Sequence, residues 1–238
     1  MKVKFEEIIY NSVLAISILN FINLYIKNTF VLVVTHVYNF RYLLPLIFIT
    51  ISRNYVSENI TKKKNEIVCY TSCIHASILA FFSILKLGGI IDLYLYDIVL
   101  DYSVSYNLID IYYLIMNNSK IKLQMIFHHV VVISSILYKS WFPLLPNYYY
   151  YIALNFLSEV TTVPLNITWL LYLQKKKEIP MFKIISKLTI LLYLPFRVFL
   201  NTYLLYHQIY YLDSCIKYIQ GMFLVLNYYW FYKLCSMS

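Results

Sequence analysis

The sequence predicts an all-α membrane protein, a polytopic bundle of about eight transmembrane helices. Of its 238 residues, 61% are hydrophobic and only 13% are charged, whereas globular domains average about 25% charged residues. The apolar residues occur in stretches of about 20, which is the length that a helix needs to cross a bilayer. The net charge of +9 comes from lysines clustered between these stretches. That distribution is typical of residues that orient membrane helices, and it argues against a nucleic-acid partner.

Eight stretches qualify as membrane spans. Taken in order, they are residues 6–26, 29–51, 67–87, 102–117, 123–142, 148–173, 184–206 and 216–235. The first follows basic residues but lacks a small-residue cleavage site, so we expect an uncleaved span. If one of the first two stretches lies in the interface instead, six or seven spans remain. We therefore divide the chain into two N-terminal spans, 1–58, and a six-span domain, 59–238.

One orientation of these spans satisfies the positive-inside rule at every loop. It places segments 52–66, 118–122 and 174–183 in the cytosol with both termini, and this side collects most of the Lys and Arg residues. The opposite side holds the predicted loop 88–101, which contains three Asp residues and no base. We expect a multi-pass membrane protein with both termini in the cytosol.

Polar residues inside the spans are the candidate site, because ionisable groups in a bilayer usually face the interior of a helix bundle. With a rise of about 1.5 Å per residue, five polar side chains from five spans lie about 8–12 Å from the cytosolic ends of their helices. These five are His75, Asp110, His128, Asn166 and Asn227. Glu159 and Arg197 fall near the midplane, where we expect an ion pair that neutralises both charges.

Two adjacent histidines, His128 and His129, interrupt an apolar span. Neighbouring side chains on a helix point about 100° apart. We therefore expect one imidazole to face the interior, with Asp110 and His75, and the other to face a second helix or the interface. Imidazole beside carboxylate suits a general base or nucleophile, and equally a site for a polar lipid headgroup. Packing by hydrogen bonds is the alternative for each His. Adjacent histidines are poor metal-binding geometry, so we expect no metal site.

Six short blocks in order resemble the TLC domain, a multi-span module shared by ceramide synthases, TRAM proteins and CLN-type lipid proteins. The blocks are TSCIHASIL, YNLIDIYYLI, MIFHHVVVI, LNFLSEVTTVPLNITWLL, LYLPFRVFLNTYLL and LNYYWFYKL. They extend over about residues 60–235. By this resemblance, motif positions fall on His75, Asp110, His128, His129, Glu159, Asn166, Arg197 and Asn227.

The resemblance implies a protein of the endoplasmic reticulum, or of another internal membrane of a host or virus, that binds, senses or helps to distribute a membrane lipid. The sequence contains no phosphate-binding loop, so we expect no cofactor. A departure bears on activity: ceramide synthases carry a His-Asp step and a second Asp after their His pair, and the corresponding ALNFLSEVTTVPLN has neither. Two alternatives stay open. One is a ceramide-synthase-like acyltransferase that uses the His pair and acyl-CoA. The other is a structural or translocon-associated membrane protein. The sequence does not define the oligomeric state.

Overall fold

The computed structural model describes residues 31–116, 122–141, 147–208 and 214–237. These residues form seven helical segments, and no strand occurs among them. The predicted all-α class is therefore confirmed. The predicted first span, 6–26, lies outside the described residues, so the number of spans stays a prediction.

Five of the segments are uninterrupted helices, and two contain an irregular turn. The uninterrupted helices are α1 (Val31–Asn59), α2 (Lys64–Leu87), α3 (Leu93–Met116), α4 (Lys122–Trp141) and α9 (Ser214–Met237). The fifth segment joins α5 (Tyr148–Leu157) to α6 (Thr162–Leu173) through the 3₁₀ turn Ser158–Thr161. The sixth segment joins α7 (Pro180–Tyr193) to α8 (Leu200–Gln208) through the π-helical turn Leu194–Phe199.

Helix α3 begins at Leu93 rather than at residue 102, so the predicted acidic loop 88–101 is wrong over most of its length. The reason is local, because the Asp92 side chain caps the helix, with the Leu95 N–H donating to Asp92 Oδ1 at 2.8 Å. Asp101 consequently lies on the helix and is 1% exposed. The preceding helix ends at Leu87, and the φ of 68° at Gly89 allows the left-handed turn that follows it.

Helix α1 continues to Asn59, well past the predicted end at residue 51. Its buried face repeats every three to four residues, which is the spacing that packs one side of a helix against neighbours. That face includes Tyr42, Leu46, Ile49, Arg53 and Val56. Much of the predicted cytosolic tract 52–66 is thus helical, and Arg53 belongs to the packed face of α1.

Several apolar side chains lie on the outside of the helices. Leu44, Leu191 and Val225 are 74%, 70% and 68% exposed. Two helical stretches, Lys64–Leu87 and Pro180–His207, are long and apolar enough to cross a bilayer, judged by length and composition. Outward-facing apolar side chains of this size suit a lipid environment, since water would leave them as a large exposed patch.

The described helices pack into two compact units. Of the described residues, those up to Ile67 and those within Asp97–Ile133 form the first unit, and those within Val68–Tyr96 and from Ser134 onward form the second. Most residues of α3 in the first unit are buried, from Val99 to Asp110, so this helix forms the core of that unit. In the second unit, a hydrophobic core forms around Tyr193, Val198 and Leu234.

Two prolines account for the irregular turns in the second unit. Pro164 and Pro195 each lack the N–H that a regular helix would donate to the residue four positions earlier, and each ring crowds that carbonyl. The 3₁₀ turn comes directly before α6, which contains Pro164, and the π-helical turn contains Pro195. Such irregular turns inside helices often occur at functional sites.

Candidate functional site

The polar residues of α3 form a buried ladder inside the first unit. Ser103, Ser105, Asn107 and Asp110 are each at most 2% exposed. The Ser105 hydroxyl donates to the Asp101 carbonyl at 2.9 Å, and the Asn107 amide donates to the Ser103 carbonyl at 2.7 Å. These bonds satisfy much of the ladder within the helix itself. The Asp110 carboxylate, in contrast, interacts with side chains from two other helices.

Asp110 joins α1, α3 and α4 through its two carboxylate oxygens. Arg53 Nη2 from α1 donates to Asp110 Oδ1. His129 Nε2 from α4 forms a hydrogen bond to Asp110 Oδ2 at 2.9 Å. The side chains of Arg53 and Asp110 are 3% and 2% exposed, and that of His129 is 5% exposed. These three residues together with Asn107 are called the Asp110 cluster below.

Asn107 completes the Asp110 cluster by binding the second ring nitrogen of His129. Its Oδ1 faces His129 Nδ1, because its amide nitrogen is engaged by Ser103. An amide oxygen only accepts, so these partners assign the donor role to Nδ1. Both ring nitrogens of His129 therefore have hydrogen-bond partners, which fixes the orientation of the ring.

Aromatic rings surround the charged groups of the Asp110 cluster. The Arg53 guanidinium carbon lies 4.4 Å from the centroid of the Tyr113 ring and 5.9 Å from that of Tyr106. The Tyr106 ring also contacts His129 edge-on, at 6.5 Å between centroids. These rings keep water away from the guanidinium, and their faces offer a cation–π attraction.

The Asp110 cluster lies at one depth within the first unit. Arg53 precedes the end of α1 at Asn59 by six residues, and Asp110 precedes the end of α3 at Met116 by six, or about 9 Å of helix in each case. His129 follows the start of α4 at Lys122 by seven residues, or about 10 Å. The common depth predicted for Asp110 and the His pair therefore holds within the first unit.

The two histidines point in different directions, as predicted. His129 is 4% exposed and faces Asp110, whereas His128 is half-buried and meets His129 edge-on, with ring centroids 5.4 Å apart. His75 is buried within α2, in the second unit. Its predicted grouping with Asp110 therefore stays a prediction.

A second polar group, called the Arg197 network, connects the two irregular turns of the second unit. Arg197 Nη2 lies 3.2 Å from Glu159 Oε1, so the predicted ion pair is present. Arg197 also donates to Thr161 Oγ1 at 2.9 Å and to Thr162 Oγ1 at 2.5 Å. The Thr162 hydroxyl in turn donates to Glu159 Oε2 at 2.7 Å. The π-helical turn supplies Arg197, the 3₁₀ turn supplies Glu159 and Thr161, and the first residue of α6 supplies Thr162.

The two predicted support asparagines also bond within the second unit. The Asn166 amide donates to Ser72 Oγ at 2.9 Å, which ties α6 to α2. Asn227 is fully buried, and its Oδ1 accepts from the Tyr193 hydroxyl at 3.2 Å, which ties α9 to α7. Both contacts are between neutral groups, so these residues hold helices together without adding charge to the unit.

Arg53 is the site residue that sequence reasoning missed. It was assigned to a cytosolic tract because charged residues and Asn surround it in the sequence. The available signal was spacing, since Tyr42, Leu46, Ile49 and Val56 place position 53 on the same buried face of α1. Among the described residues, no group of three or more His, Cys, Asp or Glu side chains is placed to hold a metal ion.

The helical fold, the outward-facing apolar side chains and the buried charges are features expected of a helical membrane protein. The sequence profile of the TRAM, LAG1 and CLN8 proteins, described as the TLC domain, matches residues 65–236. The chain belongs to this TLC-domain family, and it is therefore an integral membrane protein of a lipid-related family. No curated protein and no solved structure matches the chain. Arg53 precedes the matched region, so one residue of the Asp110 cluster comes from outside it.

Proposed function

We propose that this protein handles a membrane lipid and holds the polar part of that lipid at the Asp110 cluster. The observation that carries the proposal is the convergence of Arg53, Asp110 and His129, from three helices, in a buried site. Charged side chains inside a membrane bundle are costly, and they usually mark a ligand site, an ion path or a proton path. Membership of a lipid-related family favours a lipid as the ligand.

The depth of the Asp110 cluster also supports a lipid ligand. The cluster lies about 9–10 Å inside the helix ends, and the interfacial region is about 5–8 Å thick on each side of the hydrocarbon core. A lipid bound beside the helices would bring its glycerol or first carbonyl groups to this level. Its acyl chains would then lie against the apolar outer faces of the helices.

A membrane acyltransferase that uses acyl-CoA is the second candidate, and the hydrogen bond between His129 and Asp110 favours it. A carboxylate that orients an imidazole is a common arrangement for a general base. However, Asn107 and Asp110 engage both ring nitrogens of His129, so neither nitrogen is open to accept a proton from a substrate. Lipid binding is therefore the better supported role for the Asp110 cluster.

The test is photo-crosslinking of a clickable, photoactivatable fatty acid in membranes that express the full chain. The His129→Ala variant is compared with wild type, and Lys183→Ala is the control because Lys183 is exposed on α7. We expect crosslinking per mole of protein to fall several-fold in His129→Ala and to stay unchanged in the control.

Two other results would separate the alternatives. A fall in abundance, with unchanged crosslinking per mole, would reject lipid binding at the Asp110 cluster and favour a purely structural role. An acylated product that forms from acyl-CoA in wild type and disappears in His129→Ala would favour the acyltransferase.

A further inference from the structure

The hydrogen bonds of the Asp110 cluster determine its net charge. His129 Nδ1 carries a hydrogen because it donates to Asn107 Oδ1. A second hydrogen must lie between His129 Nε2 and Asp110 Oδ2, because a lone pair facing a carboxylate oxygen at 2.9 Å would make no bond. Whether that hydrogen resides on nitrogen or on oxygen, the charges of His129 and Asp110 sum to zero.

Arg53 therefore adds one positive charge that the Asp110 cluster does not neutralise. A guanidinium stays protonated in proteins, so its charge is present in either case. The described part of the first unit holds two other buried acids: Asp101, nine residues away on α3 or about 13 Å along the helix, and Glu66, which pairs with Lys63 at 3.1 Å. An uncompensated charge in a low-dielectric site is costly, and a counter-ion relieves that cost.

Arg53 also has donors to offer to such a counter-ion. Only its Nη2 contacts Asp110, and the buried Nε and Nη1 atoms have no hydrogen-bond acceptor among the described residues. The adjacent Tyr113 ring lies against the guanidinium, with 4.4 Å between the ring centroid and the guanidinium carbon. Charge-assisted hydrogen bonds from Arg to phosphate or carboxylate oxygens are among the strongest that proteins form.

We propose that the Asp110 cluster is an oxyanion site that selects a lipid with a net negative headgroup, bound through its phosphate or carboxylate oxygens to Arg53 Nε and Nη1. The proposal rests on the proposed lipid-handling function and adds the class of lipid. Asp110 and His129 position the guanidinium, and Arg53 makes the contact. The matched family region begins at residue 65, so α1 supplies the group that recognises the anion.

The experiment measures lipid binding to the purified full chain by native mass spectrometry. Phosphatidylglycerol and phosphatidylcholine with identical acyl chains are titrated separately, and inorganic phosphate is tested as a competitor. We expect wild type to bind phosphatidylglycerol about tenfold or more tightly than phosphatidylcholine, since a buried charge-assisted contact contributes an effect of this order. Arg53→Gln and His129→Gln each bring the charge of the Asp110 cluster to zero, so both should bind the two lipids about equally.

Lys183→Gln is the matched control, because it removes one positive charge from an exposed position on α7. It should keep the wild-type preference for phosphatidylglycerol. Arg53→Lys retains the charge without the planar donors, and it should keep a reduced preference. If one Gln variant is not recovered as a monodisperse protein, the other tests the same charge by a separate route.

The outcomes of this experiment distinguish the oxyanion site from the lipid-handling function on which it rests. Equal binding of the two lipids by wild type, or an undiminished preference in both Gln variants, would overturn the oxyanion site and leave the lipid-handling function intact. Binding of neither lipid would reject the lipid-handling function itself. Displacement of phosphatidylglycerol by millimolar inorganic phosphate would support the oxyanion site and identify free phosphate as a ligand.

Discussion

At the scale of single residues, each unit contains a buried arginine that is held in place by an acidic partner. In the first unit, Arg53 is anchored by Asp110, and in the second, Arg197 is anchored by Glu159 and two threonines. Buried charge pairs of this kind tolerate the joint removal of both partners better than the removal of one. The two networks therefore respond to substitution differently from ordinary packing residues.

Replacing Arg197 alone with Met should lower the free energy of unfolding by about 3–5 kcal/mol, because Glu159 keeps its charge and loses the cation that balances it. The double variant Glu159→Gln and Arg197→Met should lose less than the sum of the two single variants. Chemical or thermal unfolding in detergent measures all three. Additive losses would show that the Glu159–Arg197 pair contributes no coupling.

The His pair gives a second residue-scale prediction. Removing the His129 ring leaves Asn107 Oδ1 and Asp110 Oδ2 without a hydrogen bond, and each buried group loses about 1–3 kcal/mol. His129→Ala should therefore lower the melting temperature more than His128→Ala does, since His128 is half-buried. Equal shifts for the two variants would contradict the assignment of His129 as the inward residue.

At the scale of helices, the spacing of residues along α1 predicts which side chains face inward, whereas the composition of the helix does not. Leu46 is 1% exposed and Leu44 is 74% exposed on the same helix. Both are leucines in one apolar stretch, so composition alone does not distinguish them. The three- to four-residue spacing does, and it also identifies Arg53 as an inward residue.

This pair offers a matched test of helix packing. Leu46→Ala should lower the free energy of unfolding by about 2–5 kcal/mol, because it opens a cavity in the first unit. Leu44→Ala, with the same change in chemistry, should lower it by about 0.5 kcal/mol or less. Unfolding in detergent measures both. Similar losses would show that α1 does not pack along this face.

Helices α1 and α3 also show what sequence patterns predict and what they miss. Apolar stretches predicted every described helical segment, because spanning helices must be apolar over about 20 residues. The start of α3 was misplaced because Asp97 and Asp101 were read as solvated, although Asp92 is a good capping residue for a helix that begins at Leu93. Burial of Asp101 depends on neighbouring helices, which local sequence does not describe.

At the scale of the whole molecule, the site prediction was partial for a related reason. Helical depth brought Asp110 and the His pair together correctly, and the ion pair between Glu159 and Arg197 was foreseen. Depth does not reveal which way a side chain points, so the choice between His128 and His129 required the structure. It also does not show which helix packs beside α3, and Arg53 was therefore missed.

The whole-molecule scale also includes orientation in the membrane. The distribution of Lys and Arg predicts that the C-terminus and the loop at residues 174–179 both face the cytosol. A glycosylation acceptor inserted in that loop, or a tag after residue 238, should remain unglycosylated and be reached by protease from the cytosolic side. Glycosylation of the inserted acceptor would reverse the predicted orientation.

The salt bridge from Arg53 to Asp110 has a consequence for how α1 finds its place during assembly. Where burial on α1 is described, the other inward residues are Thr50 and the apolar Tyr42, Leu46, Ile49 and Val56, so a helix slipped by one turn would find similar apolar neighbours. Only one alignment brings the Arg53 guanidinium opposite the Asp110 carboxylate. A slip by one turn would place an aliphatic side chain opposite the carboxylate, and neither charge would then have its partner. The Arg53–Asp110 salt bridge therefore selects the register of α1, in the way that one buried polar residue selects the alignment of a coiled coil.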